Sequence, residues 1–266
     1  RRMIYLKNYK QIEKMRKAGQ LLFEVLTKVK EAVKPGITTA ALDAYAEELI
    51  RRNHATPSFL NYEGYPASLC TSIDDQVVHG IPSDKVVLEE GSIISLDCGL
   101  ILDGWQSDSA VTVPVGEVSE EKLRLIAVTE QCFFEGAMQA VDGNRLGDIG
   151  HAVQSLAESH GYGVVRSLTG HGIGRNMHED PNVPNYGEAG RGLRLRSGMT
   201  IAIEPMIAMQ DYRVKVMPDE WTCVTYDHLP CSHYEHTIAI GADLPEILSL
   251  PDFRWEEYLA KRGENA

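Results

Sequence analysis

The chain has 266 residues, of which 43% are hydrophobic and 24% are charged, and its formal net charge is -12 at pH 7. This composition is typical of a globular protein with a substantial core. Because the acidic excess works against binding to nucleic-acid phosphates or anionic lipids, we expect neither nucleic acid nor a membrane as a partner.

The cysteines and the N-terminus indicate a cellular compartment. The chain has an odd number of cysteines without a CxxC pair: Cys70, Cys98, Cys132, Cys223 and Cys231. This pattern favours neither a disulfide framework nor a zinc ribbon. No apolar stretch of signal-peptide length follows the N-terminal basic residues. We therefore expect a cytoplasmic protein that starts naturally at Met3, with Arg1 and Arg2 as an added remnant.

Two amphipathic helices are predicted first. Apolar residues recur at helical spacing within residues 8–34, and Pro35 with Gly36 ends the run. A second helix begins after Thr38 and Thr39, a plausible N-cap, and continues to about residue 53. Residues 57–82 are rich in aromatic, glycine and proline residues, which indicates a pocket wall with a short strand at 76–79.

The central part of the chain predicts a hairpin and then helices. Apolar runs at 92–100 and 105–113 flank a turn at Asp103 and Gly104. Helices are predicted at 119–141 and 147–160.

The remainder, up to residue 240, is predicted to be strand and loop, and its clearest strands are 199–207 and 232–240. The order of helices, sheet, helices and sheet favours an α+β fold, with helices packed on a mainly antiparallel sheet.

Two aspartates of the hairpin suggest a cation site. Asp97 lies in an apolar strand, where an unpaired carboxylate costs several kcal/mol. If residues 101–104 form the loop, Asp108 stands directly opposite Asp97. Since like charges on neighbouring strands repel, this pairing makes sense with a divalent cation between them. The alternative is that both are solvated acids that flank a turn.

Three further residues extend this set. Glu204 and Glu235 interrupt apolar strands, and His171 lies in a glycine-rich segment that also contains His178. Four carboxylates and one histidine form a mainly hard-oxygen ligand set, which suits Mn, Fe(II) or Co. Two divalent ions would balance the four charges and activate a bridging water, so the residues predict metal-assisted hydrolysis of an acyl bond.

Strand alternation places His233 on the same face as Glu235 and His236 on the other face. This split argues against a zinc site built from the neighbouring candidates Asp227, His228, Cys231, His233 and His236.

The order and spacing of five residues resemble the metal ligands of methionine aminopeptidases and their pita-bread relatives: Asp97, Asp108, His171, Glu204 and Glu235. Flanking words are similar too: VHGIP at 78–82, DCG at 97–99, TGHGIG at 169–174, IEP at 203–205 and YEHT at 234–237. The resemblance covers Met3 to about Ile247. It implies a pita-bread α+β fold with an antiparallel sheet, helices packed on one side and pseudo-twofold halves. One catalytic metallopeptidase domain would then span residues 1–266.

The resemblance also assigns roles. Asp97 would chelate one ion, Asp108 and Glu235 would bridge two ions, and His171 and Glu204 would complete the shell of the second. Glu204 would also accept the proton of the bridging water.

Two further histidines and a pocket follow from the resemblance. His178 is similar to the histidine that contacts the substrate carbonyl, and His79 to the one near the scissile nitrogen. The methionine pocket corresponds to aromatic and sulfur-containing residues, which suit a thioether but could also be plain core: Phe59, Tyr62, Tyr65, Cys70, Met177 and Trp221.

The activity implied is removal of the initiator methionine from nascent chains whose next residue is small, by attack of a metal-bridging hydroxide on the first peptide bond. No long insertion separates Glu204 from Glu235, so the chain resembles the short, bacterial-style type 1 form. The implied cofactors are two divalent ions, Mn, Fe(II) or Co, with Zn also tolerated. The expected partners are N-termini of nascent polypeptides near the ribosome, bound by a monomer.

Departures from the usual pattern leave metal affinity and pocket preference open. They are Glu63, Met177, the pair Asp74 and Asp75, and His233, where glutamine is common.

Two alternatives remain. Proline-specific peptidases of this fold usually carry a large N-terminal domain, whereas the segment before Asp97 is short. Non-catalytic peptide-binding members generally lose ligands, and this chain keeps all five.

Overall fold

The computed structural model describes residues 3–264, and this part of the chain contains five α-helices: α1 (Tyr9–Ala32), α2 (Thr39–Arg52), α3 (Glu120–Ala137), α4 (Leu146–Ser159) and α5 (Trp255–Glu264). The first two begin at side-chain caps, because Asn8 accepts a hydrogen bond from the backbone N–H of Gln11 and Thr38 from that of Ala41. Four of the helices match predicted ones, and α3 ends earlier than expected. The sequence patterns did not predict α5.

The strands within the described residues form three sheets. They are β1 (Thr56–Pro57), β2 (Leu69–Ile73), β3 (Gln76–Val78), β4 (Ile93–Leu102), β5 (Trp105–Pro114), β6 (Gly163–Val164), β7 (Gly170–Gly172), β8 (Glu179–Val183), β9 (Thr200–Ile203), β10 (Met206–Ala208), β11 (Val214–Val216), β12 (Cys223–Thr225), β13 (Cys231–His233), β14 (Glu235–Ala239) and β15 (Glu246–Ile247).

The largest sheet has nine strands in the order β1-β4-β5-β14-β9-β7-β8, with β2 added beside β4 and β15 beside β14. Smaller sheets have the orders β13-β10-β6 and β11-β12-β3. The strand pairs are antiparallel, which confirms the predicted α+β architecture.

Alternation along β4 separates the core from the opposite face of the sheet. Leu96, Cys98 and Leu100 are fully buried in one apolar cluster with residues of α1 and α2. Each such leucine contributes roughly 1.5–3 kcal/mol. Since successive side chains of a strand point to opposite faces, Asp97 projects away from these helices.

The hairpin register differs from the prediction. Asp103 and Gly104 have φ values of 50° and 77°, so these two residues alone form the turn. The strands consequently continue to Leu102 and Trp105, and Asp97 pairs with Ala110. The prediction that Asp97 and Asp108 stand directly opposite each other was therefore wrong. The two aspartates are diagonal neighbours on the same face.

Both long strands predicted in the C-terminal part of the chain are broken at or next to a candidate ligand. The predicted strand 199–207 divides into β9 and β10 at Glu204 and Pro205, because proline has no N–H to donate to a ladder. The predicted strand 232–240 divides into β13 and β14, which belong to different sheets.

Within residues 3–264, no helix combines the length and the apolar character needed to cross a membrane.

Candidate active site

A cavity on the face of the large sheet opposite α1 and α2 collects the side chains that the resemblance assigns to the site. Its lining comprises the residues predicted to bind metal, to act in catalysis and to form the pocket, together with Glu63: Phe59, Tyr62, Tyr65, Cys70, His79, Asp97, Asp108, His171, Met177, His178, Glu204, Trp221 and Glu235.

One row across the sheet carries most of the acidic groups. Cys70 of β2 pairs with Asp97 of β4, which pairs with Ala110 of β5, and Ala110 pairs with Glu235 of β14. Glu204 directly follows β9, the other neighbour of β14. Residues paired across antiparallel strands share a face, so these side chains project into the same space.

A second row, next to the first, carries the other two candidate ligands. Asp108 pairs with Gly99, and His171 pairs with Ala202, which in turn pairs with Thr237 of β14. Within this row Thr237 is hydrogen-bonded to Asp108. Its hydroxyl accepts from the Asp108 N–H at 2.9 Å and donates to the Asp108 carbonyl at 2.8 Å. Thr237 lies in the family-like segment YEHT, but its contact with Asp108 was not predicted, because a contact between strands leaves no local signal.

His171 presents an unprotonated nitrogen to the acids. Its Nδ1 donates to the Gly172 carbonyl at 2.9 Å. Burial lowers its pKa to about 3, so the ring is neutral and Nε2 carries a lone pair. This Nε2 lies 3.6 Å from Glu204 Oε1, 3.7 Å from Asp108 Oδ2 and 4.0 Å from Glu235 Oε1.

The carboxylates lack the donors that buried acids require. Asp97 Oδ1, Asp108 Oδ1 and Glu235 Oε1 are buried and have no hydrogen-bond partner. Burial raises the pKa of Asp108 to about 7 and raises the pKa of Asp97, Glu204 and Glu235 well above their usual range. Crowded, desolvated acids around an imidazole lone pair are stabilised by a cation.

Ligand atoms come close enough to hold ions in two groups. Asp108, His171 and Glu235 form one group, and Asp97, His233 and Glu235 form the other, with the atoms of each group within 4.8 Å of one another. Glu235 belongs to both groups. The residues present therefore fit divalent metal ions, whose charge would compensate the acids.

The apolar end of the cavity lies beside Asp97. Phe59, Tyr65, Cys70 and Met177 are buried in one cluster, with Trp221 partly buried against it. The rings of Tyr65 and Trp221 meet edge-on at 5.1 Å, and the Tyr65 hydroxyl donates to the backbone carbonyl of residue 69 at 3.0 Å. These contacts form a rigid wall of rings and sulfur around the space next to the acids.

Two histidines stand at the cavity as predicted. The rings of His171 and His178 are 4.3 Å apart, and His178 Nδ1 is hydrogen-bonded to the Tyr62 hydroxyl at 2.9 Å. His79 has a left-handed backbone with φ 60° and faces Trp221 at 6.1 Å. Burial lowers the pKa of both His79 and His178, which keeps both rings neutral near pH 7.

A buried ion pair that sequence reasoning missed supports the loop of His178. Lys7 Nζ lies 2.7 Å from Glu179 Oε2, and both side chains are only 5% exposed. The other oxygen of Glu179 accepts from the backbone N–H groups of Arg175 and Asn176 at 2.9 and 3.1 Å. Glu179 thereby connects the N-terminal segment to the turn before His178. No local pattern could reveal a pair so far apart in the chain.

Comparison with known proteins agrees with this geometry. The model of metallopeptidase family M24 matches residues 13–242. A methionine aminopeptidase of Clostridium acetobutylicum is 54% identical over 248 residues, which cover 93% of this chain and 99% of the relative. The crystal structure of methionine aminopeptidase from Rickettsia prowazekii has a TM-score of 0.92 at 43% identity and covers 93% of this chain and 100% of that chain.

A more distant structure, an Xaa-Pro dipeptidase from Bacillus anthracis, has a TM-score of 0.75 at 20% identity and covers 92% of this chain and 62% of that chain. It shares the fold alone. The predicted pita-bread fold is confirmed by these neighbours. The family model matches most of the chain, and relatives above 40% identity align with it over almost their whole length. The chain therefore belongs to metallopeptidase family M24.

Proposed function

We propose that this protein is a metal-dependent aminopeptidase that removes the initiator methionine from nascent chains whose second residue is small. One observation carries the proposal: the five candidate ligands share one sheet face, directly beside a buried apolar pocket that begins at Cys70. The similar proteins named methionine aminopeptidase support it.

The metal centre proposed uses the five acidic and imidazole side chains Asp97, Asp108, His171, Glu204 and Glu235. They would hold two divalent ions, and their mainly oxygen ligand set suits Mn, Fe(II) or Co and tolerates Zn. Such ions, when bound, supply a Lewis acid for the peptide carbonyl and lower the pKa of a bound water toward neutrality.

Glu204 would act as the general base. Its side chain is 13% exposed at the cavity, whereas that of Glu235 is 2% exposed. This greater exposure places the Glu204 carboxylate to accept a proton from the attacking water and to return it to the leaving amine.

His178 would stabilise negative charge on the substrate carbonyl oxygen. When the Tyr62 hydroxyl donates to Nδ1, the proton of the neutral ring is on Nε2, which is then free to donate into the cavity. His79 lines the same cavity and would bind the scissile nitrogen.

Substrate selection would rest on the apolar cluster. Rings and sulfur atoms at Phe59, Tyr65, Cys70 and Met177 suit the unbranched thioether of methionine. The wall close to the scissile bond would exclude a bulky second residue.

The proposed partners are the N-termini of nascent polypeptides near the ribosome, with the protein acting as a cytoplasmic monomer. All five cysteines are buried and free, which suits a reducing compartment.

Release of free methionine from Met-Ala-Ser tests the proposal, with Met-Leu-Ser and Gly-Pro-Ala as comparisons. The protein is first stripped by a chelator and then refilled with Mn or Co. We expect metal-dependent cleavage of Met-Ala-Ser alone. Cleavage only at Gly-Pro would indicate a proline peptidase, and no cleavage with any metal would favour a peptide-binding module.

A further inference from the structure

His233 is a buried imidazole beside the candidate metal centre. The residue is 1% exposed, and neither Nδ1 nor Nε2 has a hydrogen-bond partner. An unpaired buried polar group costs about 1–3 kcal/mol, so a side chain with two such atoms calls for a physical explanation.

The backbone of His233 is fixed in place. Its N–H donates to Thr112 Oγ1 at 2.9 Å, and the same hydroxyl donates to the His233 carbonyl at 2.8 Å. His233 also ends β13, paired with Met206 of β10. With both backbone groups fixed, the imidazole is held toward the acids.

Two carboxylates lie next to the ring. Nε2 is 3.5 Å from Glu204 Oε2 and 3.6 Å from Glu235 Oε2. Both distances exceed those of ordinary N–H···O hydrogen bonds, which are 2.7–3.2 Å. They fit better with two ligand atoms that share an ion between them, because metal–nitrogen and metal–oxygen bonds are about 2.0–2.2 Å long.

Asp97 supplies a further carboxylate oxygen close to His233 and Glu235. The potential ligand atoms of Asp97, His233 and Glu235 lie within 4.8 Å of one another, as do those of Asp108, His171 and Glu235. The two groups share Glu235, and each contains one histidine.

We propose that His233 Nε2 is an additional ligand of the metal ion held by Asp97, so that each ion of the pair has one imidazole. This inference rests on the proposed function, because it concerns the same metal centre. An imidazole ligand at the ion held by Asp97 makes the ligand set of that ion softer than carboxylates alone. It therefore favours Co, Ni or Zn over Mn more than a five-ligand site does.

Cobalt(II) is the probe for a direct test. In the cobalt-loaded protein, the ring N–H proton of each ligating histidine gives its own hyperfine-shifted NMR signal, and these signals can be counted. We expect two such signals in the unaltered protein and one in His233→Gln. The exposed His151 supplies the matched control, since His151→Gln should keep both signals.

Metal affinity provides a second readout, measured by competition with a chelator. His233→Gln should weaken cobalt binding by about 10- to 100-fold, the range for loss of a residue that supports a metal site, and should weaken manganese binding less.

A single signal in the unaltered protein, unchanged in His233→Gln, would overturn the inference and leave His233 as a positioning residue for the carboxylates. The proposed function would survive that result if methionine were still released. Conversely, two signals in a protein that releases no methionine would support the ligand assignment and refute the function.

Discussion

Asp97 and Glu235 face each other across a single methyl group, because both pair with Ala110 in one row of the large sheet. Ala110 is fully buried. A larger side chain at this position would fill the space between the two carboxylates. The small residue in the middle of the row is therefore part of the proposed metal centre, although it offers no ligand atom.

Replacing Ala110 by valine should consequently weaken metal binding. The added methyl groups would crowd Asp97 and Glu235, and overpacking of this kind costs about 1–3 kcal/mol. We expect the affinity for Mn to fall about tenfold or more, measured by calorimetric titration, since each tenfold step corresponds to about 1.4 kcal/mol. Val111→Ile adds bulk to the opposite, helix-facing side of the same strand and should bind Mn normally. Equal affinities in all three proteins would refute the role of Ala110.

His178→Ala should reduce turnover of Met-Ala-Ser by about 10²- to 10³-fold, the typical cost of removing a donor to a developing oxyanion. Tyr62→Phe should have a smaller effect, because it removes only the hydrogen bond at 2.9 Å that orients the ring. Steady-state kinetics at saturating metal give kcat and KM for both variants. Preserved turnover in His178→Ala would make this histidine a structural residue only.

Metal affinity should rise with pH and level off in the alkaline range. Burial raises the pKa of Asp108 to about 7, and the other three acids are raised as well, so protons occupy the site at lower pH and must leave when an ion binds. The pKa of His171 is about 3, so this ring does not compete. Titration calorimetry in two buffers of different ionisation enthalpy measures the released protons. A pH-independent affinity below about pH 7 would contradict this prediction.

The same raised pKa values make the stability of the metal-free protein depend on pH. A carboxyl that binds its proton more tightly when folded contributes stability below its unfolded pKa and loses that contribution as pH rises through its folded pKa. For Asp108 this loss is complete above about pH 7. Bound ions should offset the loss, so the rise in Tm on adding Mn should be larger at alkaline than at mildly acidic pH.

Lys7→Met should destabilise the protein by about 3–5 kcal/mol, because it leaves the Glu179 carboxylate buried without its cation. Urea unfolding of the metal-free protein measures this change. Arg191→Met is the matched control: the pair of Arg191 and Glu188 is almost fully exposed, and its loss should cost about 0–1 kcal/mol. Similar costs in the two variants would show that burial does not distinguish the pairs.

Cys70→Leu should narrow the pocket next to Asp97. Cys70 is 3% exposed, so the larger side chain must occupy substrate space or displace neighbouring rings. We expect kcat/KM for Met-Ala-Ser to fall about tenfold or more, since one methylene in an apolar pocket is worth about 1–3 kcal/mol. Cys70→Ala, which keeps the space, should retain most of the activity. If both variants behaved alike, Cys70 would not line the methionine pocket.

The local sequence pattern was sufficient to predict an element where a single hydrophobic periodicity was followed by a residue that ends the element. The apolar spacing from residue 8 and the break at Pro35 bounded α1 to within a few residues, and the position of Asp97 inside an apolar run marked it as a candidate ligand. Local pattern failed at the hairpin, because the register depends on whether the turn has two residues or four. It also failed at α5, which packs through Trp255 against the distant ring of Phe134.

The order of residues along the chain already specifies the chemistry: which acids interrupt apolar strands, which histidine is flanked by glycines, and in what order these residues occur. Each is a property of a residue and its immediate neighbours. How the ligands meet depends on the fold, because the pairings of β4, β5, β14, β9 and β7 place them in two rows. The contacts of Lys7, Ala110 and Thr237 were likewise decided there, because a contact between strands far apart in the chain leaves no trace in local periodicity.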